Sequence, residues 1–241
     1  MEPTSAFCLP IICRIKLRGL KASKSLIEIS QDKIRMIKVF ACVLLAAMVS
    51  GCALTEDAIP VKYSAPANIS VVQGAKDVTI SVTPSDGRVS NRDRVSTKKN
   101  GYGMEMAKIT AANDVVAEVS QAVQTELASL GFNVGPGGIA ITVQTTNFYN
   151  DFKPGFWTAE AVAEVAFDLT AKRQDGTLVY SRSYRAIGVN KDVMLMMGEQ
   201  AAPALSAALR DAVQLVVQDT NLHQALVQAG NKPKVPTLPT S

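Results

Sequence analysis

The amino-acid sequence predicts an α+β fold, in which a single, mostly antiparallel sheet of about five strands carries two main helices on one face. Residues 160–172 alternate between apolar and polar side chains, which is typical of a strand with one buried face. Residues 114–130 and 198–217 each carry one apolar stripe at helical spacing. Because the strands and the helices are each apolar on one side, stacking the helices on one face of a sheet buries both.

Three shorter strands are predicted before the long one. Residues 76–83 alternate, with Val, Ile and Val on one side, and the sequence Pro-Ser-Asp-Gly at 84–87 is expected to end that strand. A second strand is predicted at 103–109. A third, at 139–144, follows the Gly-Pro-Gly-Gly turn at 135–138.

Two apolar segments of the sequence lack a clear period. Residues 147–157 are predicted to form a loop, and residues 193–197 read Val-Met-Leu-Met-Met. Each segment either packs under the core or forms a binding surface for a partner. The aromatic residues of the first segment are Phe148, Tyr149, Phe152, Phe156 and Trp157.

A long hairpin is predicted around the turn sequence Asp175-Gly176, with the return strand at 177–189. Three acidic residues, Glu160, Glu164 and Asp168, share the polar face of its first strand at four-residue steps. Neighbouring carboxylates are then roughly 13 Å apart, which is too far for the carboxylate pair of a glycosidase. This face is expected to be solvated or, less often, to contact a cation or a protein.

The predicted helices carry start and stop signals. Asn113 or Asp114 is expected to cap the first helix, and Gly131 is expected to end it. Asp219 is expected to cap a final short helix that extends through Ala229.

The stretch 36–52 has the three parts of a bacterial lipoprotein signal. Residues 39–49 form an apolar run of 11 residues. The run leads into Val49-Ser50-Gly51-Cys52, a pattern that predicts cleavage between Gly51 and Cys52 and acylation of Cys52. Ala53, where Asp would indicate inner-membrane retention, favours the periplasmic face of the outer membrane. Cationic residues precede the run, namely Lys33, Arg35 and Lys38.

The signal divides the chain into five predicted regions. Residues 1–35 are interpreted as a non-native extension, because a signal is expected to begin near Met36, and residues 36–51 are the signal peptide. Residues 52–75 are predicted to be a tether, 76–230 a single α+β periplasmic domain, and 231–241 a disordered tail.

Charge and cysteine content exclude two classes of protein. The chain carries a net charge of +4, but residues 1–51 hold 8 of the 25 basic and 3 of the 21 acidic residues. The remainder has 17 basic and 18 acidic residues, a net charge of −1, so no nucleic-acid partner is predicted. Cys52 is the only cysteine left after cleavage, so no internal disulfide is expected.

No catalytic, cofactor or metal site is predicted. His223 is the only histidine, and one histidine without other strong ligands does not make a zinc site. A cationic segment at 88–101 is either simply solvated or contacts lipid phosphates, lipopolysaccharide or peptidoglycan carboxylates. Its basic residues are Arg88, Arg92, Arg94, Lys98 and Lys99.

Two short motifs resemble the YajG family of bacterial lipoproteins. These are Gly-Phe-Asn-Val-Gly-Pro-Gly-Gly at 131–138 and Gln-Asp-Thr-Asn-Leu-His at 218–223. The resemblance implies an envelope lipoprotein whose functional residue is the acylated Cys52. The expected function is therefore non-catalytic binding or scaffolding by a protein that is attached to the membrane by its lipid and contacts an envelope protein or glycan.

Two alternatives to this expectation remain open. One is an accessory lipoprotein of an envelope transport or peptidoglycan-synthesis complex. The other is an envelope hydrolase whose site is assembled from distant positions.

Overall fold

The computed structural model describes residues 54–65 and 70–231, and all of them fall within one compact unit, Cys52–Ser241. The predicted extension, signal peptide, cleavage site and acylated Cys52, and the predicted tail beyond residue 231, lie outside the described residues. None of the helices in the described part of the chain is long and apolar enough to cross a membrane.

The described residues form eight strands and three helices, together with a short 3-10 turn at Ala75–Asp77. The strands are β1 (Asp57–Ile59), β2 (Thr79–Asp86), β3 (Ser96–Lys99), β4 (Glu105–Ala111), β5 (Asn133–Val134), β6 (Ile139–Pro154), β7 (Ala159–Lys172) and β8 (Leu178–Val193). The helices are α1 (Val115–Ser129), α2 (Gly198–Val217) and α3 (Thr220–Gly230).

The strands form two sheets, so the α+β class is confirmed but the single, mostly antiparallel sheet is wrong. One sheet has five strands in the order β5-β2-β6-β7-β8, and the other has three in the order β1-β4-β3. β2 pairs parallel with both β5 and β6, whereas β6, β7 and β8 pair antiparallel. The parallel pairs follow from the connection, because α1 lies between β2 and β6 in the chain and lets the strand direction repeat.

β2 continues through the predicted turn at 84–87, which makes that break wrong. Pro84 pairs with Val143 of β6, and the strand ends only at Asp86. β5 pairs with Thr79 and Ile80 alone, so the other edge of β2 is open beyond residue 80. A proline that lacks an N–H is tolerated at such an open edge.

β6 likewise extends through the loop predicted at 147–157, as far as Pro154. Its pairing with β7 shifts between Thr145 and Asn147. Odd-numbered residues such as Val143 are buried before this bulge, whereas even-numbered residues such as Phe148 are buried after it. A β-bulge adds one residue and changes the alternation, which explains why the sequence pattern lost its period there.

The long hairpin is confirmed. The odd-numbered residues 161–171 of β7 are almost fully buried. Gly176 occupies the left-handed region at φ 83°, and the Arg173 N–H donates to Thr177 O at 2.9 Å across the turn. β8 runs on to Val193, four residues beyond the predicted end at 189.

The helix predictions are confirmed. Asp114 caps α1, because its Oδ1 accepts from the N–H groups of Val116 and Ala117. α2 spans residues 198–217 as predicted, and α3 is capped by Asp219. The apolar stripes of α1 and α2 are buried in one continuous core with the inner face of the five-stranded sheet.

Residues 57–63 belong to the domain, so the prediction of a tether through residue 75 is wrong for this part. β1 pairs parallel with β4, and Val61 is fully buried. The Val61 N–H donates to Asn113 Oδ1 at 3.0 Å, and the Tyr63 hydroxyl donates to Glu126 Oε1 at 2.6 Å. In the described part of the chain, the first strand therefore begins only five residues after Cys52.

Candidate functional sites

The five cations predicted to meet an anionic surface do not form one open cluster. Arg88 is buried and makes two hydrogen bonds of 3.0 Å with the carboxylate of Asp86, and these bonds lower the pKa of Asp86 to about 2. Arg94 lies 3.9 Å from Glu105. Arg92 is the most exposed of them, with 62% of its side chain accessible.

Lys98 and Lys99 lie on β3 instead of in the predicted loop. Lys98 is buried, and its Nζ lies 2.8 Å from Asp57 Oδ1. Lys99 donates to Asp151 Oδ1 at 2.6 Å. Arg92 lies 3.9 Å from Asp86, so each of the five cations has an acid of the same chain as a neighbour. Only Arg92 has a mostly exposed side chain, so an anionic surface would meet chiefly Arg92.

The side chain of Asp57, the first residue of β1, contacts two other elements of the domain. Its carboxylate pairs with the buried Lys98 through Oδ1 and accepts from the N–H of Gly198, the first residue of α2, at 3.1 Å through Oδ2. The positive end of a helix favours an adjacent carboxylate. One side chain therefore joins β1, β3 and α2.

Asp57→Ala is expected to lower the free energy of unfolding by about 2 kcal/mol. Removing one partner of a buried ion pair costs about 3–5 kcal/mol, but about a third of the Asp57 side chain is exposed, so water partly replaces it. Urea denaturation measures this change. Asp57→Ala with Lys98→Met should recover part of the loss, since the buried charge is then gone, and equal stabilities of the single and double variants would contradict the explanation.

His223 packs between helices and the core. It is buried, its Nε2 lies 3.1 Å from Val216 O, and its ring centroid lies 6.3 Å from that of Phe132. Burial lowers the pKa of His223, which favours the neutral ring. Within the described ranges, no group of three or more His, Cys, Asp or Glu side chains is arranged to hold a metal ion.

Asp219 is the centre of a polar network that the sequence pattern indicated only as a helix cap. Its Oδ2 accepts from the hydroxyls of Tyr180 and Tyr184, each at 2.7 Å, and from Arg182 Nη1 at 2.9 Å. Its Oδ1 accepts from the backbone N–H of Leu222 at 3.2 Å. The signal that could have found the network is the spacing of Tyr180, Arg182 and Tyr184, because alternate residues share one face of a strand.

The outer face of the five-stranded sheet carries the predicted acids together with exposed aliphatic residues. Arg185 pairs with Glu164 at 2.6 Å, and the Ser183 hydroxyl donates to Asp168. Ile187 and Val189 of β8 are 54% and 45% exposed. Tyr149, Val162, Glu164, Arg185 and Ile187 line a shallow hollow in this face, which we call the outer-face hollow. They stand on three paired strands, β6, β7 and β8, which fix the order of their backbone positions across the face.

The aromatic residues of segment 147–157 divide between packing in the core and lying exposed on the surface. Phe148 and Phe152 are buried in the core. Phe156 and Trp157, in the turn between β6 and β7, are 90% and 86% exposed and stack edge to face with ring centroids 4.8 Å apart. The methionine segment divides similarly, because Met196 is buried whereas Met194 is exposed.

Comparison with known proteins relates the chain to bacterial lipoproteins. A protein-family model described as an uncharacterized lipoprotein matches residues 65–227, well over half of the chain. The uncharacterized lipoproteins YajG of Escherichia coli strains K12 and O6:H1 are each 22% identical over 184 residues, which is 75% of this chain and 92% of theirs.

Solved structures show weaker likeness. Protein XCC0632 from Xanthomonas campestris aligns with a TM-score of 0.48 and 15% identity, over 70% of this chain and 96% of that one. A minor lipoprotein from Acinetobacter baumannii aligns with a TM-score of 0.38 and 10% identity, over 64% and 96% of the two chains. The family match rests instead on the sequence, and the motifs at 131–138 and 218–223 lie within the matched residues. The chain belongs to the YajG-like family of bacterial lipoproteins.

Proposed function

We propose that the protein is a lipid-anchored, non-catalytic component of the cell envelope that binds an envelope protein through the outer-face hollow. Acylation of Cys52 attaches it to the periplasmic face of the outer membrane. Family membership and the sequence 49–52 support the anchor. A diacylated or triacylated terminus holds a protein stably at a bilayer, whereas a single chain does not.

The observation that carries the binding role is the mixture of side chains around the hollow. Ile187 and Val189 present apolar area beside the Glu164–Arg185 ion pair, and Tyr149 adds an aromatic ring with a polar end. Central apolar and aromatic anchors surrounded by polar groups are typical of protein–protein interfaces. We favour a protein partner over a glycan because the exposed aliphatic residues offer nothing to sugar hydroxyls. An accessory role in an envelope transport or peptidoglycan-synthesis complex would use the same face.

Photo-crosslinking in intact cells tests this proposal. A photoreactive amino acid at Ile187 or Val189 is expected to form one discrete adduct with an envelope protein. The same probe at Gln121, which is exposed on α1, is the matched control and should form none. Arg185→Glu replaces a cation of the hollow with an acid, so a partner that complements the native charges should bind less well, and the adduct at Val189 should fall by about tenfold or more.

Three results would overturn the binding role. They are the absence of a discrete adduct at both β8 positions, an identical adduct at Gln121, and an adduct that is insensitive to the Arg185 reversal.

A further inference from the structure

Six exposed apolar side chains lie on three loops at one end of the domain. They belong to the turn between β3 and β4, the turn between β6 and β7, and the connection from β8 to α2. We call them the apolar tips: Tyr102 (90% exposed), Met104 (59%), Phe156 (90%), Trp157 (86%), Met194 (78%) and Leu195 (62%). Large apolar side chains exposed together mark a surface that is covered in the working protein.

Contacts between the three loops place them at the same end of the domain. Gly103 lies against Pro154, since a Cβ on Gly103 would be 3.2 Å from Pro154 Cγ. The Lys99 N–H donates to Met196 O at 3.3 Å, which joins β3 to the β8–α2 connection. β7 begins beside the end of β8, where Ala159 pairs with Val193. The three loops therefore share one end of the long strands, opposite the turn at 175–176.

The chain enters the domain at this same end. Asp57 contacts Lys98 of β3 and Gly198 at the start of α2, only three residues after Leu195. Asp57 lies five positions after Cys52 in the chain, and even a fully extended stretch of that length spans at most about 18 Å. The 16 residues of β6 span about 50 Å. A lipid on Cys52 can therefore hold the tip end at a bilayer, but it cannot reach the turn at 175–176.

We propose that the apolar tips insert into the interfacial region of the bilayer that carries the acylated Cys52, which orients the domain with β6, β7 and β8 directed away from the membrane. This inference rests on the anchor in the proposed function. Trp and Tyr are enriched at the boundary between lipid and water, and Phe, Leu and Met suit the acyl region just below it. Next to the tips, Lys153 lies opposite Glu160 in the register of β6 and β7, and Lys99 forms an ion pair with Asp151. These neighbouring charges come as cation and acid together, so zwitterionic lipid suffices.

Fluorescence of the single tryptophan tests the insertion directly. Trp157 is the only tryptophan of the chain and is one of the tips. The acylated mature protein is reconstituted into phosphatidylcholine vesicles with or without brominated acyl chains. We expect brominated lipid to lower the Trp157 emission at least about twofold, and acrylamide to quench it less than it quenches the detergent-solubilised protein, because a buried indole is shielded from water.

A tryptophan at the opposite end provides the matched control. In a Trp157→Phe, Gln174→Trp variant the indole lies beside the exposed turn at 175–176, and brominated lipid should leave its emission unchanged. Equal quenching at both positions would overturn the proposed orientation. If acrylamide quenched the Trp157 emission freely and brominated lipid did not quench it, the insertion would be overturned. Protection from acrylamide without quenching by brominated lipid would show that a second copy or another protein covers the tips instead.

Two further measurements distinguish a failure of the insertion from a failure of the lipid anchor. They are the mass of the N-terminal peptide and the flotation of the protein with the vesicles. An acylated protein that floats but shows no lipid quenching of Trp157 contradicts only the insertion. An unmodified Cys52 contradicts the anchor, and the insertion with it.

Discussion

Asp219→Ala is expected to lower the free energy of unfolding by about 4 kcal/mol, the largest single-residue effect that we predict outside the apolar core. The substitution removes the cap of α3, a loss of about 1 kcal/mol. It also removes the acceptor of the two tyrosine hydroxyls and of Arg182, and a buried donor left without a partner costs about 1–3 kcal/mol. Tyr184 is almost fully buried, so water cannot replace the lost acceptor there. Thermal unfolding should shift down by roughly 8–16 °C.

Two conservative variants separate the contributions to this effect. Asp219→Asn keeps an oxygen for the cap but loses the charge, so we expect about half of the destabilisation. Tyr184→Phe removes one hydrogen bond and leaves the other donors in place, and it should cost about 1 kcal/mol. If Asp219→Asn were as stable as the parent, the charge would have no structural role.

The pH dependence of stability gives an independent measurement of the same network. Burial alone would raise the pKa of Asp219, but the hydroxyls of Tyr184 and Tyr180, the Leu222 N–H and Arg182 outweigh burial and lower the pKa from 3.8 to about 2. A lowered carboxyl pKa stabilises the folded state above about pH 4, and this contribution is lost as the pH falls towards 2. Asp219→Asn should therefore flatten the stability profile in that window. A residual slope is expected, because the pKa of Asp86 is also lowered to about 2.

Gly188→Ala is expected to destabilise the protein by about 3 kcal/mol, although it adds a single methyl group. Gly188 lies on β8 directly beneath α2, and a Cβ there would be 2.2 Å from Ala204 O and 2.5 Å from Ala208 N. Both are backbone atoms, so no side-chain rotation relieves the clash and α2 must move away from the sheet. Overpacking of this kind costs about 1–3 kcal/mol, and a rigid obstacle places the cost at the upper end. Guanidinium denaturation should show the loss.

Gly101→Ala is the matched control for this prediction. No heavy atom lies within 4 Å of a Cβ placed on Gly101, so its effect should stay within about 0.5 kcal/mol. If the two substitutions destabilised the protein equally, the close approach of α2 to Gly188 would not explain the effect of Gly188→Ala.

Local signals in the sequence predicted the elements that they specify directly. The alternation of residues 161–171 required only one buried face, and the structure buries all six odd-numbered side chains. The caps by Asp114 and Asp219 depend on hydrogen bonds to residues two or three positions away, which a short stretch of sequence contains. For these elements the determining contacts are local, and the prediction from the sequence agrees with the structure.

Features that depend on distant residues were missed. Ser96, Thr97 and Lys98 have the composition of a surface loop, yet they are buried in β3. Their partners come from distant parts of the chain, namely Asn150, Tyr149 and Asp57 respectively. The second sheet could not be predicted without those pairs. The network around Asp219 likewise joins β8 to the start of α3 across more than thirty residues, and only its cap was visible in the sequence.

The length of strands β6, β7 and β8 determines how far the turn at 175–176 stands from the lipid. If the apolar tips rest in a bilayer, the turn at 175–176 stands about 45 Å away from it, because each strand residue adds about 3.3 Å. Side chains alternate with a period of two, so inserting or deleting residues in matched pairs would change this height in steps of about 7 Å while the same face stays buried. In that orientation the length of the hairpin alone would set how far its turn stands from the lipid, and this length can change without a new core.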